Sequence, residues 1–301
     1  MHPKVGFIGL GEVGSSYAGA LMAGGLPQGQ VRALYLGGRP GADPARASDR
    51  ARQAGVAFYE DPAAFAAGLD LVVSAVSPQG AQEVAATIAG FLAGPQLFLD
   101  VNSVGPKTKA TVAQTLEARG VRTADGAIMG APASSGRITL TLSGPCAAEA
   151  AGMLAPYGAQ VDVVGDRVGM AATLKMTRSV VMKGFAMLLI EALCAARKAG
   201  VEEQVLRGID ASIHQRDFDN LVQRFVCGSL QHAGRRAGEM EEVEAFLEEL
   251  GVPAEMTRAT KGRLGYLASR DPAWHERPFD RVDLALDALL ADADGGSGNA
   301  G

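Results

Sequence analysis

Short apolar runs alternate with Ala-rich amphipathic stretches along the first half of the chain, from Lys4 to about Leu142. Apolar runs bounded by turns are typical of strands buried on both faces of a parallel sheet, and the amphipathic stretches between them are typical of crossover helices. The pattern therefore predicts an α/β domain with a doubly wound, Rossmann-type sheet. We expect strands at residues 5–8, 33–36, 56–59, 69–76, 96–101, 122–127 and 138–142.

The pattern changes after Gly165, where helical periodicity replaces the short apolar runs. Residues 170–199 contain no proline and predict one helix of roughly 45 Å, at about 1.5 Å per residue. Its most apolar part, residues 179–196, contains Lys183 and Glu191, so we interpret it as a buried helix and not as a membrane span. Shorter helices are expected at residues 202–213, 218–230, 236–250, 254–268 and 281–290.

This change divides the chain into two domains and a tail. We expect an NAD(P)-binding Rossmann domain over residues 1–165 and an all-helical domain for substrate binding and dimerisation over residues 166–291, joined through the long helix. Residues 292–301 are Gly, Asp, Ser, Asn and Ala, which offer almost nothing to bury, and predict a disordered tail. A chain of 301 residues suits two domains.

Charge and cysteine usage narrow the class of protein. The net charge is −5, with basic and acidic residues interspersed, so neither a nucleic-acid partner nor a membrane surface is expected. The three cysteines are far apart and form no CxxC pattern, and the N-terminus runs directly into an apolar strand, which together indicate a cytoplasmic protein. The four histidines lack metal-ligand spacing, so no metal is expected.

A glycine-rich turn follows the first expected strand and precedes a helix expected at residues 15–22. With 39 glycines in the chain the GxGxxG pattern is weak by itself, and residues 296–301 also match it without a strand or helix around them. The context of the first match predicts a dinucleotide site, in which the pyrophosphate lies on the N-terminus of the helix. The cofactor-binding candidates in the turn are Gly9, Leu10, Gly11, Glu12, Val13 and Gly14.

The end of the second expected strand indicates which dinucleotide binds. An acidic residue there is typical of NAD, whereas an Arg accommodates the 2′-phosphate of NADP. This strand is followed by Arg39, with no acid before Asp43 and with Arg46 and Arg50 beyond it. NADP is therefore favoured over NAD, although a solvated Arg on a loop would give the same sequence.

Four motifs in the first two-thirds of the chain carry a family resemblance. Residues 4–14 read KVGFIGLGEVG, residues 100–106 DVNSVGP, residues 125–130 DGAIMG and residues 169–175 GMAATLK. In order and spacing they resemble the β-hydroxyacid dehydrogenases, relatives of 3-hydroxyisobutyrate and 6-phosphogluconate dehydrogenase. The resemblance fades after about Ala199, and the later residues look like an uncharacterised branch with a phosphogluconate dehydrogenase-like C-terminal domain.

The resemblance implies roles for individual residues. Lys175 occupies the position of the family's catalytic lysine, and Ser179 stands where the family usually has Asn. Met129 replaces a serine that contacts substrate in the family. The positions that would bind substrate are Asn102, Ser103, Met129, Arg178 and Ser179, and those that would contact the cofactor beside the turn are Val76, Ser77 and Ser103.

The oxidation of an alcohol requires a group that accepts the hydroxyl proton, and Lys175 is the candidate for that role. The cofactor accepts the hydride, and the protein must supply a base for the hydroxyl proton. A lysine serves if burial or a nearby positive charge lowers its pKa. Arg178, at i+3, could provide that charge, bind a substrate carboxylate as a bidentate fork, or form an interdomain salt bridge.

The sequence therefore predicts an NAD(P)-dependent dehydrogenase that oxidises a β-hydroxy acid reversibly, with Lys175 as general acid and base. We expect the site in a cleft between the domains, a small carboxylate substrate, and a homodimer that buries the apolar faces of the helical domain. Alternatives are an imine or keto-acid reductase, an oxidative decarboxylase, and an NADPH-binding protein without turnover. The basic cluster of His232, Arg235 and Arg236 has no assigned role.

Overall fold

The computed structural model describes residues 2–37, 43–92, 94–130, 138–214, 217–270, 274 and 279–295. Two compact units divide the chain, Met1–Val180 and Val181–Gly301, and the division falls within the long helix. All strands of the described residues belong to the first unit. Most helices of the second unit lie at residues where the sequence predicts them.

The described strands form one eight-stranded sheet in the order β3-β2-β1-β4-β5-β6-β7-β8. Neighbouring strands are parallel except β6 and β7. Their connection, residues 129–138, is shorter than the dozen or more residues that a parallel crossover takes. The strands are β1 Val5–Ile8, β2 Val31–Leu34, β3 Ala57–Tyr59, β4 Leu71–Ser74, β5 Leu97–Asp100, β6 Arg122–Ile128, β7 Thr139–Ser143 and β8 Gln160–Val163.

Helices cover both faces of this sheet because side chains on its strands alternate in direction. Val5, Phe7 and Leu99 pack into one apolar cluster, whereas Ile8 and Phe98 pack into the other, on the opposite face. This arrangement confirms the doubly wound fold. The helices of this unit are α1 Glu12–Ala23, α2 Pro44–Ala54, α3 Pro62–Ala66, α4 Ala81–Ile88, α5 Pro106–Glu117 and α6 Ala147–Leu154, followed by the start of α7 Met170–Ala199.

The sequence missed one strand. β8 reads QVDV and is exposed along most of its length, as suits the edge of the sheet. Its alternation of polar and apolar residues carries too little apolar signal to stand out in four residues. The expected second strand, residues 33–36, begins two residues earlier in the structure, at Val31.

The second unit is helical throughout its described residues. It contains the rest of α7, then α8 Glu202–His214, α9 Phe218–Gln231, α10 Ala233–Glu249, α11 Glu255–Ala268 and α12 Val282–Gly295. The last helix extends beyond residue 291, where the tail was expected to begin. The second glycine pattern, residues 296–301, lies outside the described residues.

The apolar part of the long helix is not buried within the chain. By length and composition this helix could also cross a membrane, with a mean hydropathy of 1.8 in its most apolar window, of which 17% is buried. Val181 is 66% exposed, and Phe185 and Ile190 are exposed as well. The expectation that residues 179–196 form a buried helix is therefore wrong for the single chain, because more than one side of this helix lacks a covering element among the described residues.

Candidate dinucleotide and proton-transfer site

The glycine turn connects β1 to α1 at the carboxyl edge of the sheet. Gly9 has φ of +94°, a conformation that side chains disfavour. A Cβ on Gly9 would lie 2.5 Å from the backbone oxygen of Ala75, at the end of the neighbouring strand β4. Only glycine therefore allows the chain to turn this sharply against β4.

The other two glycines of the motif differ in what surrounds them. A Cβ on Gly14 would lie 2.1 Å from the carbonyl oxygen of Gly9, so the helix packs directly on the turn. A Cβ on Gly11 would meet nothing within 4 Å, which leaves open space in front of the helix N-terminus. These are the features that a dinucleotide site requires: a tight turn, close packing of helix on strand, and room for a pyrophosphate beside the free amides of the helix.

A pocket of about 360 Å³ adjoins the turn. It extends along the ends of β1, β2 and β4 and includes Tyr35 and Leu36 after β2, where a ribose would be read. The predicted cofactor residues that line it are Gly9, Leu10, Gly11, Val76 and Ser77. The residues present therefore fit a nicotinamide dinucleotide.

The basic residues near this pocket are only partly described. Arg39, the predicted 2′-phosphate contact, lies outside the described residues. Arg50, on α2, is half-buried and lines the pocket, whereas Arg46 on the same helix is exposed. Among the described arginines, Arg50 thus lies where a cofactor phosphate could be bound.

Lys175 and Ser103 lie together. The Lys175 Nζ donates a hydrogen bond of 2.7 Å to the Ser103 hydroxyl. Lys175 is half-buried in the second turn of α7, and Ser103 is exposed in the loop that follows β5. The sequence assigned Lys175 to catalysis and Ser103 to substrate and cofactor contact, and this hydrogen bond joins the two residues directly.

The remaining predicted substrate residues have different surroundings. Asn102 is 4% exposed, and its amide oxygen accepts a hydrogen bond of 2.7 Å from the Val76 N–H while its amide nitrogen donates to Ser74. Its side chain thus ties the end of β5 to the end of β4. Arg178 is exposed on α7, Ser179 is half-buried, and Met129 is half-buried just after β6.

A buried ionic network beneath these residues was not predicted from the sequence. The Lys109 Nζ lies 3.1 Å from a carboxylate oxygen of Asp100 and 3.2 Å from one of Asp125, with each side chain at most 5% exposed. The same ammonium donates to the backbone oxygens of Asp100 and Gly126. Burial raises the pKa of Asp100, against the opposing effect of Lys109.

A signal for this network is present in the sequence. The buried positions of α5 are Lys109, Val112, Ala113 and Leu116, so Lys109 occupies the first position of an apolar stripe that faces the sheet. A lysine at such a position needs a buried acid as its partner. Asp100 and Asp125, which open two of the motifs quoted above, are those acids.

Two family models match the chain. Residues 4–165 match the NAD binding domain of 6-phosphogluconate dehydrogenase, which spans more than half of the chain. Residues 196–267 match a domain of unknown function, DUF1932.

Solved structures show the same fold over most of the chain. A conserved hypothetical protein from Sinorhizobium meliloti 1021 is 33% identical, with 90% of this chain and 91% of that chain covered and a TM-score of 0.58. A conserved protein described as structurally similar to 3-hydroxyacid dehydrogenases is 31% identical, with 87% and 96% covered and a TM-score of 0.57. An imine reductase variant from Myxococcus stipitatus in complex with NAD+ is 19% identical, with 95% and 100% covered and a TM-score of 0.74, which shows the fold alone.

The match to the NAD binding domain and the glycine turn agree on the first unit, and the two structures above 30% identity extend the likeness to nearly the whole chain. The chain therefore belongs to the β-hydroxyacid dehydrogenase-like family of proteins that carry the NAD binding domain of 6-phosphogluconate dehydrogenase.

Proposed function

We propose that this protein is an NADP-preferring oxidoreductase that interconverts a small β-hydroxy acid and the corresponding oxo acid. The observation that carries the proposal is the 2.7 Å hydrogen bond between Lys175 and Ser103 at the sheet edge that holds the glycine turn. Strands β1, β4 and β5 are adjacent and parallel, so Gly9, Ser77 and Ser103 follow neighbouring strands at one edge. Ligands bind at this edge in doubly wound sheets.

Lys175 supplies the proton transfer in this proposal. When bound, the nicotinamide accepts the hydride from the alcohol carbon, or returns it to the oxo carbon. The Lys175 amine takes the hydroxyl proton during oxidation and gives it back during reduction, and the Ser103 hydroxyl orients that amine. Arg178 lies one helical turn beyond Lys175 on the same helix.

The substrate class follows from Arg178. A guanidinium exposed at i+3 from the proposed base can bind a carboxylate through two parallel hydrogen bonds, which selects acids over simple alcohols. A carboxylate held there would leave the β-hydroxyl close to Lys175. This arrangement favours a hydroxy acid over an imine substrate, whose reduction does not need a lysine base.

The proposed preference for NADP over NAD rests on three arginine residues. Arg50 lines the pocket beside the turn, and Arg39 and Arg46 flank the same stretch of sequence. A guanidinium is well suited to the additional phosphate of NADP. We therefore expect tighter binding of NADPH than of NADH.

A screen of substrates tests the proposal directly. Nicotinamide absorbance is followed with β-hydroxy acids, including sugar acids and phosphorylated acids, and with cyclic imines and their reduced amines, each with both cofactors. We expect turnover with at least one β-hydroxy acid and NADP. Turnover with imines alone would refute the substrate class, and saturable NADPH binding without any turnover would refute the enzymatic proposal.

We also propose that a second copy of the chain covers one exposed side of the long helix. Val181, Phe185 and Leu188, at i, i+4 and i+7, share one face of the helix and form a contiguous exposed apolar surface, and Lys183 and Glu191 on the same helix disfavour a lipid environment. Sedimentation should show a dimer that V181E and L188E convert to monomers. A monomeric wild-type protein, or one that binds lipid vesicles through this helix, would contradict the proposal.

A further inference from the structure

The Ser103–Lys175 pair is assembled from two separate segments of the first unit. Ser103 lies in the loop after β5, and Lys175 lies on α7, whose first residue follows β8 by several residues. No strand pairing joins these two segments to each other. The 2.7 Å hydrogen bond therefore depends on whatever fixes the loop and the start of the helix in place.

The loop is fixed by Asp100. Its Oδ1 accepts a hydrogen bond of 2.8 Å from the Asn102 N–H. Asn102 in turn binds Ser74 and the Val76 N–H, which joins the loop to the end of β4. The residue that precedes Ser103 is thus held both by its backbone and by its side chain.

The start of the long helix is fixed by Asp125 and Ser143. The Asp125 Oδ2 accepts hydrogen bonds from the Gly169 N–H at 3.0 Å and the Ala172 N–H at 3.2 Å. The Ser143 hydroxyl donates to the same carboxylate oxygen and accepts from the Ala171 N–H. These bonds satisfy N–H groups at the helix N-terminus, which have no partner within the helix itself.

Lys109 connects the two carboxylates. Its ammonium lies within 3.2 Å of both Asp100 and Asp125 and is 1% exposed. Replacing such a buried ion pair with apolar residues is often neutral or stabilising, so stability alone does not account for the charges here. What the ammonium does provide is a fixed link between the acid that holds the Ser103 loop and the acid that holds the Lys175 helix.

We propose that Lys109 is a positioning residue, whose buried ammonium couples Asp100 to Asp125 and thereby sets the separation of Ser103 and Lys175. The proposal rests on the function proposed above, in which that pair transfers the proton. Lys109 itself touches neither substrate nor cofactor in this arrangement. The contact of Gly169 with Pro106, where a Cβ would approach to 3.2 Å, further joins the helix start to the N-terminus of α5, the helix that carries Lys109.

Two variants and one control test the proposal in the full-length protein. K109M removes the link, and S143A removes only the hydroxyl between Asp125 and the Ala171 N–H. S143A leaves the ion pairs intact and is expected to fold even if K109M does not. T123V is the matched control, because the buried Thr123 hydroxyl also lies on the central sheet but donates to Glu117 and not to the helix.

Hydrogen exchange and lysine labelling give readouts that do not require activity. In S143A and in folded K109M, we expect the amides of Gly169, Ala171 and Ala172 to exchange at least about tenfold faster than in the wild type, while the amides of β1 and β4 stay unchanged. We also expect Lys175 to react faster with an amine-specific reagent, as quantified by mass spectrometry. T123V should match the wild type in both measurements.

Kinetics then separate positioning from general destabilisation. The kcat of S143A should fall at least about tenfold while the Kd for NADPH stays within about twofold, because the glycine turn does not contact this network. Wild-type exchange and labelling in folded K109M would overturn the role of Lys109, and the same result in S143A would overturn the anchoring of the helix through Asp125 on which that role depends, whatever the activity. If the variants show faster exchange and labelling but the wild-type protein has no turnover, the proposed function is overturned and the structural coupling stands.

Discussion

The glycine turn and the Ser103–Lys175 pair lie at the same edge of the sheet but are built differently. The turn depends on three glycines, of which Gly9 has a backbone conformation that side chains disfavour. The roles of the three follow from how close the neighbouring atoms lie to each of them. The pair consists of two side chains from separate segments, which a buried ionic network holds together. The turn is therefore a local property of one strand, one helix and the residues between them, whereas the pair depends on packing between distant segments.

This difference implies that the two functions can be removed separately. A substitution in the turn should weaken cofactor binding without moving Lys175, and a substitution of Lys175 should abolish turnover without weakening cofactor binding. The following predictions test that separation, in order of decreasing effect.

The largest effect is expected for K175M. Loss of a general acid and base costs about 10²- to 10⁴-fold in turnover, while the apolar side chain keeps the shape of the helix. NADPH affinity, measured by calorimetry, should stay within about twofold, since the turn lies elsewhere on the edge. K107M, which removes an exposed lysine from α5, is the control and should behave as the wild type. Near-normal turnover of K175M would remove Lys175 from the mechanism.

The next effect is expected for G14A. Its Cβ would lie 2.1 Å from the Gly9 carbonyl oxygen, so helix α1 must move away from the turn. Overpacking of this kind costs about 1–3 kcal/mol of folding free energy, and NADPH binding should weaken by at least about tenfold. G19A on the same helix meets nothing within 4 Å and should raise stability by about 0.5–1 kcal/mol. Equal Tm values for the two variants would contradict the packing role.

A smaller effect is expected for R50A. Removing a guanidinium that binds the 2′-phosphate costs about 1.5–3 kcal/mol, or roughly tenfold or more in the Kd for NADPH, with little change for NADH. The same selectivity is expected for R39A. R52A is the control, because Arg52 lies on the same helix but pairs with Asp49 at 3.1 Å on the surface. Equal losses of affinity for NADPH and for NADH would refute the preference for NADP.

The smallest effect is a pH dependence of stability in D100N. Burial raises the pKa of Asp100, so the folded state binds this proton more tightly than the unfolded state does. The free energy of unfolding of the wild type therefore decreases as the pH rises through that pKa. Asn cannot ionise, and Lys109 keeps Asp125 as its partner. The Tm of D100N relative to the wild type should rise from acid to neutral pH, and a constant difference would contradict this account.

The two units differ in how completely the chain covers its apolar residues. The first unit packs two extensive apolar clusters on the two faces of its sheet, whereas the clusters of the second unit are small. Most of the large exposed apolar side chains lie in the second unit, on the long helix and the helices that follow. The second unit therefore exposes the larger apolar surface, on which the proposed dimer contact lies, and the first unit holds the predicted cofactor turn.

Local sequence predicted what depends on local chemistry. Val5–Ile8 contains no polar side chain and precedes three glycines at fixed spacing, so strand, turn and helix follow from neighbouring residues. Met170–Ala199 lacks proline and forms the helix at the expected bounds. The sequence predicted the strand at residues 138–142, which is β7, but its antiparallel direction depends on pairing with β6. The polar edge strand β8 depends on pairing with β7, and the apolar pattern did not reveal it.

The candidate site shows the same division. The sequence placed Lys175 and Ser103 in the site through the resemblance, and the structure brings them into contact. It assigned Asn102 a substrate role, although the structure shows its amide bonded to Ser74 and to the Val76 N–H. It gave no role to Lys109, because pairing of Lys109 with both Asp100 and Asp125 depends on strand order and cannot be read from spacing.

Transfer of the hydride itself is the most direct test of the central claim. NADPH that carries deuterium at the transferred position is incubated with the wild-type protein and the oxo forms of the β-hydroxy acids, and the products are analysed by mass spectrometry. The account predicts a hydroxy acid that carries one deuterium on the carbon that bore the oxo group. NADPH that binds tightly and yields no deuterated hydroxy acid with any of these acids would contradict it.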